Sequence, residues 1–263
     1  MKYGIIGGSG IYAVPGIETS EELVETQYGP AKVYLGVGDN DDLVFIPRHG
    51  IDHSIPPHKV NYRANITAFK KLGVEKVFGT YAVGSLKTSI PPGGFVILDQ
   101  FIDLNFQRTA TFFQGGDFGL GHTDMTNPYC STLRNALYDL AVAQGFHILP
   151  NGTYVCFNGP RFETSAEIRM FAQWGGDVIG MTGGTETALA REAGLHYAGV
   201  AFSINYAAGL KHQMITIEKP GFEENVLRLT SLIIAVFRGE FEQSCPCDSA
   251  VHMSEAPKIN LFE

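Results

Sequence analysis

Residues 2–10 read KYGIIGGSG. A short apolar run that breaks into three glycines and a serine predicts a buried strand, Lys2–Ile6, delivering the chain into a sharp turn. Glycines let the backbone bend and present N–H groups to an anion, and the Ser9 hydroxyl adds one more donor. Dinucleotide-binding folds also open on a glycine-rich turn after their first strand. The GxGxxG spacing is not met here, which sets a dinucleotide-dependent oxidoreductase aside. Ordinary turn chemistry accounts for the glycines equally well until other residues are weighed.

Outward from this start, strand-like and helix-like segments alternate. Further strands are expected at Lys32–Val37, Leu43–Pro47, Val77–Thr80, Phe95–Leu98, Thr153–Phe157, Val178–Met181 and Tyr197–Ile204, several of them nearly continuous apolar runs. Helical spacing relates Leu133, Leu137, Leu140 and Ala141 before Gly145, and Tyr62, Ile66 and Phe69 before Gly73. Thr164-Ser165-Ala166-Glu167 reads as a capping box opening a helix that ends at Gly175. A last helix is expected from Phe222 to Phe237. The order predicts an α/β fold, a central mixed sheet flanked by helices, in one domain over residues 1–240. From Glu242 onward periodicity fades, and residues 241–263 read as an arm or a loose tail.

Composition bounds the function. The 263 residues carry a formal net charge of −8, with no basic cluster beyond Lys70-Lys71, so a nucleic-acid backbone is not the expected partner. No run of eighteen apolar residues suggests a membrane span, and the opening reads as strand and turn rather than signal peptide. A cytoplasmic protein is expected. The four cysteines are Cys130, Cys156, Cys245 and Cys247. Cys245-Pro246-Cys247 is too tight for a CxxC site, the other two lie far off in sequence, and no histidine pair stands at ligand spacing. Reduced thiols and no metal are expected, with a Cys245–Cys247 disulfide as the alternative.

Four further segments carry chemistry. Arg48-His49-Gly50 follows a buried strand, where a planar guanidinium fork suits phosphate and His49 can donate another hydrogen bond. A structural ion pair with an acidic residue is the competing explanation for Arg48. Phe162 and Glu163 sit where the chain enters the capped helix, with an aromatic face for a base and a carboxylate for its edge. A helix-start acid facing the macrodipole is the plainer reading of Glu163. Gly180-Met181-Thr182 and Ser203-Ile204-Asn205 each close a strand. The Asn205 amide needs a partner from turn backbone or from a ligand.

Jointly these segments resemble the trimeric purine nucleoside phosphorylase and methylthioadenosine phosphorylase family. The resemblance runs from Gly4 to about Gly239, through GIIGGSG at 4–10, PRHG at 47–50, PPHKVNYRANI at 56–66, YAVGSL at 81–86, DQFID at 99–103, GPRFET at 159–164, GMTGG at 180–184 and INYAAG at 204–209. It implies a homotrimer or a dimer of trimers, phosphorolysis with inorganic phosphate as co-substrate, and no cofactor. By matching position it places Ser9, Arg48, His49, the backbone at Ala82 and Thr182 on phosphate, and Met181 under the ribose. Phe162, Glu163 and Asn205 fall on the base, and His122 on the 5′ region of a neighbouring subunit's nucleoside. One departure is Tyr81, where methylthioadenosine members carry Thr, which leaves its hydroxyl's part in the phosphate site open.

A 6-oxopurine offers an acceptor at O6 and a donor at N1–H, whereas adenine offers the reverse. An ionised Glu163 is acceptor-only and complements N1–H, and Asn205 can donate to O6 and accept from a proton on N7. Family members that act on 6-aminopurines place Asp at the Asn205 position, Asp at the Ala207 position and Ser at the Glu163 position. The expected substrates are therefore inosine, guanosine or 5′-methylthioinosine, with Ile215 and Ile217 as candidates to line a methylthio pocket. A methylthioadenosine phosphorylase and a non-catalytic purine sensor or scaffold on the same fold are the alternatives.

Overall fold

The computed structural model describes residues 2–211, 215, 221–239 and 245–263. The opening strand β1 (Lys2–Gly7) lies parallel between β4 (Leu43–Pro47) and β5 (Val74–Ser85). All five residues of β4 are buried, the signature of a strand covered on both faces. Strand β11 (His196–Tyr206) runs parallel to β5, and β6 (Phe95–Ile97) pairs antiparallel with β11. At the far tip of β5, β10 (Val178–Gly180) pairs antiparallel, with Ile179 opposite Gly84. It carries β9 (Thr153–Cys156) and then β7 (Gln100–Asp103) in parallel. On the other side, β3 (Ala31–Gly36) and β2 (Thr19–Val24) extend the sheet antiparallel beyond β4. Among the described residues this makes one mixed sheet of ten strands. It forks at the end of β5, which serves β1, β11 and β10 in turn.

The pleat sorts the apolar side chains onto two faces. Ile6, Val44, Ile46 and Val77 join one core cluster with α1 (Tyr62–Lys71) and α4 (Gly183–Glu192). Ile5, Leu43, Phe45 and Phe78 join the other with α2 (Ser131–Ala143) and α5 (Phe222–Arg238). A smaller cluster packs Ile168 and Phe171 of α3 (Ser165–Gln173) on Val155 and Ile179. Both halves of the capping box at Thr164 and Glu167 are formed. The Asn61 side chain caps α1 by accepting from the Ala64 N–H at 3.2 Å. The α/β architecture expected from the sequence is present.

Some elements differ from expectation. The edge strand β2 is mostly exposed and polar, so it lacks the apolar run that betrays an inner strand. Helix α4 begins on Gly183-Gly184, normally a poor helix start. Here a Cβ on Gly184 would lie 2.6 Å from the Asp103 carboxyl group, so the close approach of α4 to β7 requires glycine. Residues 245–263 form a packed arm. Its strand β12 (Val251–Glu255) pairs antiparallel with β8 (Leu120–Thr123), Leu261 is buried, and Phe262 meets Phe112 edge-on at 5.1 Å. Among the described residues no helix is long and apolar enough to cross a membrane.

Candidate active site

The carboxyl ends of β1, β4, β10 and β11, with the last third of β5, open onto one cavity of about 420 Å³. In open α/β sheets ligands sit in such a crevice at the strand ends. The turn after β1 supplies Gly8, Ser9 and Gly10, the end of β4 supplies Arg48 and His49, and β5 supplies Tyr81, Ala82, Val83 and Gly84. Phe162 and Glu163 enter from the loop after β9, and Met181 and Thr182 from the end of β10. Ile204 and Asn205 complete the wall from β11. Successive strand residues normally face opposite ways, so having both in one wall needs a local device. The device is a bulge: Ser203 stands opposite Val83 and Asn205 opposite Gly84, which leaves Ile204 as an extra residue.

The turn 7–10 is held from below. The Gly8 N–H donates to the Thr80 hydroxyl at 3.1 Å, which in turn donates to the Ile6 carbonyl. A Cβ on Gly8 would lie 2.4 Å from the Thr80 carbonyl and 3.0 Å from an Arg48 nitrogen. Only glycine allows this approach, and it brings the guanidinium beside the turn.

Arg48 is almost wholly buried and meets Glu186 in a two-pronged ion pair, Nε to Oε2 at 2.6 Å and Nη2 to Oε1 at 2.7 Å. Its Nη1 donates to the Thr80 carbonyl at 2.9 Å. Among the described residues these bonds engage three of its five N–H groups and leave two for an anion. The ion pair and the anion site are thus compatible. Burial opposes the positive charge, but the Glu186 carboxylate outweighs it and raises the Arg48 pKa above its ordinary value. The Tyr81 hydroxyl donates to Glu186 Oε1 at 2.9 Å, the Tyr197 hydroxyl donates to the same oxygen at 2.5 Å, and the two hydroxyls contact each other. The Tyr81 hydroxyl therefore serves the Arg48–Glu186 pair, and its ring lies 4.6 Å beneath the guanidinium.

His49 Nδ1 donates to the Ile55 carbonyl at 2.8 Å, since a carbonyl can only accept. Burial, and then the charge on Arg48, lower its pKa to about 4. At neutral pH the ring is uncharged and Nε2 carries a lone pair. The expected extra donor at His49 is thus an acceptor in this state.

On the opposite wall, burial raises the Glu163 pKa above the ordinary carboxylate value, with its own backbone N–H pulling the other way. Asn205 is buried and donates one Nδ2–H to the Tyr206 carbonyl at 2.8 Å. Its second N–H and its carbonyl oxygen have no bond among the described residues, one donor beside one acceptor. Phe162 is exposed at the mouth. Thr182 makes no capping bond to α4 and lines the cavity. A Cβ on Gly159, whose φ is +61°, would lie 2.4 Å from the Met181 sulfur, so this glycine gives Met181 its place.

Every site residue expected from the sequence lines this cavity except His122, which is exposed on β8. Ile215 and Ala207 do not line it either, and Ile217 lies outside the described residues. Sequence reading missed Glu186, Tyr197, Thr80, and the cavity residues Tyr12 and His53, which share a hydrogen bond of 3.1 Å. The ion-pair explanation for Arg48 named no acidic partner, and nothing in GGTETALA singles out Glu186 as that partner.

Arg108 was also missed. It donates to the Met181 carbonyl at 2.6 Å and the Asn158 carbonyl at 2.7 Å, tying together the two segments that carry Met181 and Phe162. Arg108→Ala is expected to lower kcat/KM about 10–100-fold, because small displacements of positioning groups cost rates of that order. Steady-state kinetics checks this.

Residues 2–237 match the family model described as "Phosphorylase superfamily". A probable 6-oxopurine nucleoside phosphorylase of Moorella thermoacetica is 46% identical over 95% of this chain and 98% of its own length. A probable S-methyl-5′-thioinosine phosphorylase of Thermodesulfovibrio yellowstonii is 44% identical over 83% of this chain and 83% of its own. Among solved structures, a double mutant of adenosine/methylthioadenosine phosphorylase from Schistosoma mansoni, in complex with adenine, superposes with a TM-score of 0.83. It is 31% identical and covers 91% of this chain and 93% of its own. With a family match across almost the whole length and a strand-end cavity of this make-up, the chain belongs to the phosphorylase superfamily.

Proposed function

We propose that this enzyme uses inorganic phosphate to cleave the N-glycosidic bond of a 6-oxopurine nucleoside, releasing free purine and a ribose 1-phosphate. The substrate is inosine, guanosine or 5′-methylthioinosine. The observation that carries the reading is that one cavity joins an anion-suited wall of Ser9, Arg48 and Thr182 to a wall holding Glu163 and Asn205. Relatives named for 6-oxopurine nucleosides and for methylthioinosine support it.

As the C1′–N9 bond weakens, the sugar gains positive charge and electrons flow into the purine. Catalysis therefore requires stabilisation at both ends. Glu163, ionised, accepts from N1–H. Asn205 donates its remaining N–H to O6 and accepts from the proton that N7 acquires. Phosphate held by Ser9, Arg48, Thr182 and the backbone at Ala82 places an oxygen near C1′, stabilises the cation and then captures it. The His49 Nε2 lone pair suits the P–OH of monohydrogen phosphate. Met181 underlies the ribose and Phe162 stacks on the base. Positioning supplies much of the rate, and no cofactor or covalent intermediate is invoked.

The same reading takes the protein as a cytoplasmic homotrimer, or a dimer of such trimers. His122, exposed on β8 and outside its own chain's cavity, is then free to serve a neighbour's nucleoside.

The test is an assay of inosine, guanosine, adenosine, methylthioinosine and methylthioadenosine, each with and without phosphate. Phosphate-dependent release of hypoxanthine or guanine is expected. Free base without phosphate overturns the reaction, and a preference for methylthioadenosine overturns the base assignment. The pH profile is a further prediction. Protonation turns Glu163 from acceptor to donor opposite N1–H, so kcat/KM should fall as pH drops through its raised pKa. The acid limb should have an apparent pKa above the ordinary 4.5. Glu163→Gln should lower kcat/KM and flatten that limb.

A further inference from the structure

Three of the four cysteines meet at a place remote from the cavity. Cys130 stands at the N-cap of α2, His196 opens β11, and Cys245 and Cys247 lie where the C-terminal arm begins. Their donor atoms, three sulfurs and one imidazole nitrogen, all lie within 4.8 Å of one another. Cys130 Sγ is 3.9 Å from His196 Nδ1 and 3.4 Å from Cys245 Sγ, and Nδ1 is 3.1 Å from Cys245 Sγ. Metal–sulfur bonds of about 2.3 Å and metal–nitrogen bonds of about 2.0 Å in a tetrahedron give donor separations of roughly 3.5–3.8 Å. The observed separations bracket that range. All four cysteines are free thiols in this structure.

We propose that Cys130, His196, Cys245 and Cys247 bind one zinc ion and fasten the C-terminal arm to the body of the fold.

Soft thiolates with one imidazole are a donor set that zinc takes in closed, structural sites. Cys130 and Cys247 are each no more than 2% exposed and His196 is 8% exposed, so four protein donors leave no open position for a substrate. The location agrees, because Asn205 lies at the other end of β11, roughly 30 Å away at strand rise. Cys130 is pinned by its N–H to the Tyr197 carbonyl at 2.7 Å, at the N-cap of α2. Beyond Cys247 the arm bonds Ala250 O to the Asp124 N–H at 2.8 Å and pairs His252 with His122. The ion would thus fix the register of the strand that carries His122. Sequence spacing pointed away from a metal because Cys130 and His196 reach the CPC pair only through the fold.

This proposal does not depend on the catalytic reading. The test is elemental analysis of full-length protein purified under reducing, chelator-free conditions, followed by cobalt(II) replacement. About one zinc per chain is expected, with thiolate-to-cobalt charge transfer and intense d–d bands of a tetrahedral site. Cys245→Ser and Cys247→Ser should each lose the zinc and lower Tm by at least about 5 °C, while His196→Cys should retain it. Overturning results are a reduced protein with no bound metal and no zinc uptake on titration, or chain masses showing the thiols oxidised to a disulfide in place of a metal. The metal content and cobalt spectrum of the wild-type chain decide between these outcomes even where a variant fails to fold.

Discussion

Arg48→Met should lower phosphorolysis at least about 10²-fold and destabilise the fold by about 3–5 kcal/mol. The two losses have different origins. The stability loss comes from Glu186, whose side chain is 1% exposed and would be left buried without its cationic partner. The activity loss comes from the two N–H groups that the ion pair does not use. A second substitution separates them. Arg48→Met with Glu186→Leu removes both buried charges, and replacing a buried pair with apolar side chains is often close to neutral. Tyr81 and Tyr197, already in contact, would then keep each other as partners. Denaturant unfolding should show most of the stability restored, while phosphorolysis stays down and the phosphate KM stays high. Recovery of turnover in the double variant would mean that Arg48 acts only as a structural partner.

Asn205→Asp should collapse base selectivity. The native amide has one donor and one acceptor left for ligand, because its other N–H goes to the Tyr206 carbonyl. A carboxylate can donate to neither O6 nor Tyr206, and it adds a second negative charge to a cavity that already holds Glu163. A buried polar site facing the wrong donor–acceptor pattern discriminates strongly. We expect kcat/KM for inosine to fall about 10²–10⁴-fold and the inosine-to-adenosine ratio to fall with it. Paired kinetics on the two nucleosides read this directly. An unchanged ratio would show that Asn205 does not read the base.

Much of this arrangement is legible in the chain because its working residues sit at strand ends, and strands of continuous apolar residues announce where they end. Leu43–Pro47 is expected and found with the same bounds, which puts Arg48 at the mouth of the sheet. Asn205 is legible for the same reason, as the polar residue closing an apolar run. What fixes its direction is not legible, since the extra residue at Ile204 becomes a bulge only when β11 meets β5. Glu186 was hidden because its partner is 138 residues away in sequence. Helix α4, which carries it, opens on two glycines that local propensity rejects and close packing demands. Arg108 stands in none of the motifs read from the sequence, and only the fold brings the Met181 and Asn158 carbonyls to it. The cysteine cluster makes the same point: Cys130 and Cys245, 115 residues apart, meet only in three dimensions.

A crystal structure with hypoxanthine and phosphate bound together should place phosphate within hydrogen-bonding distance of Ser9, Arg48 and Thr182. The purine edge is expected on Glu163 and Asn205, with room for one ribose between the two ligands. Purine and phosphate lodged in separate cavities, or a purine edge turned away from Glu163 and Asn205, would contradict this arrangement.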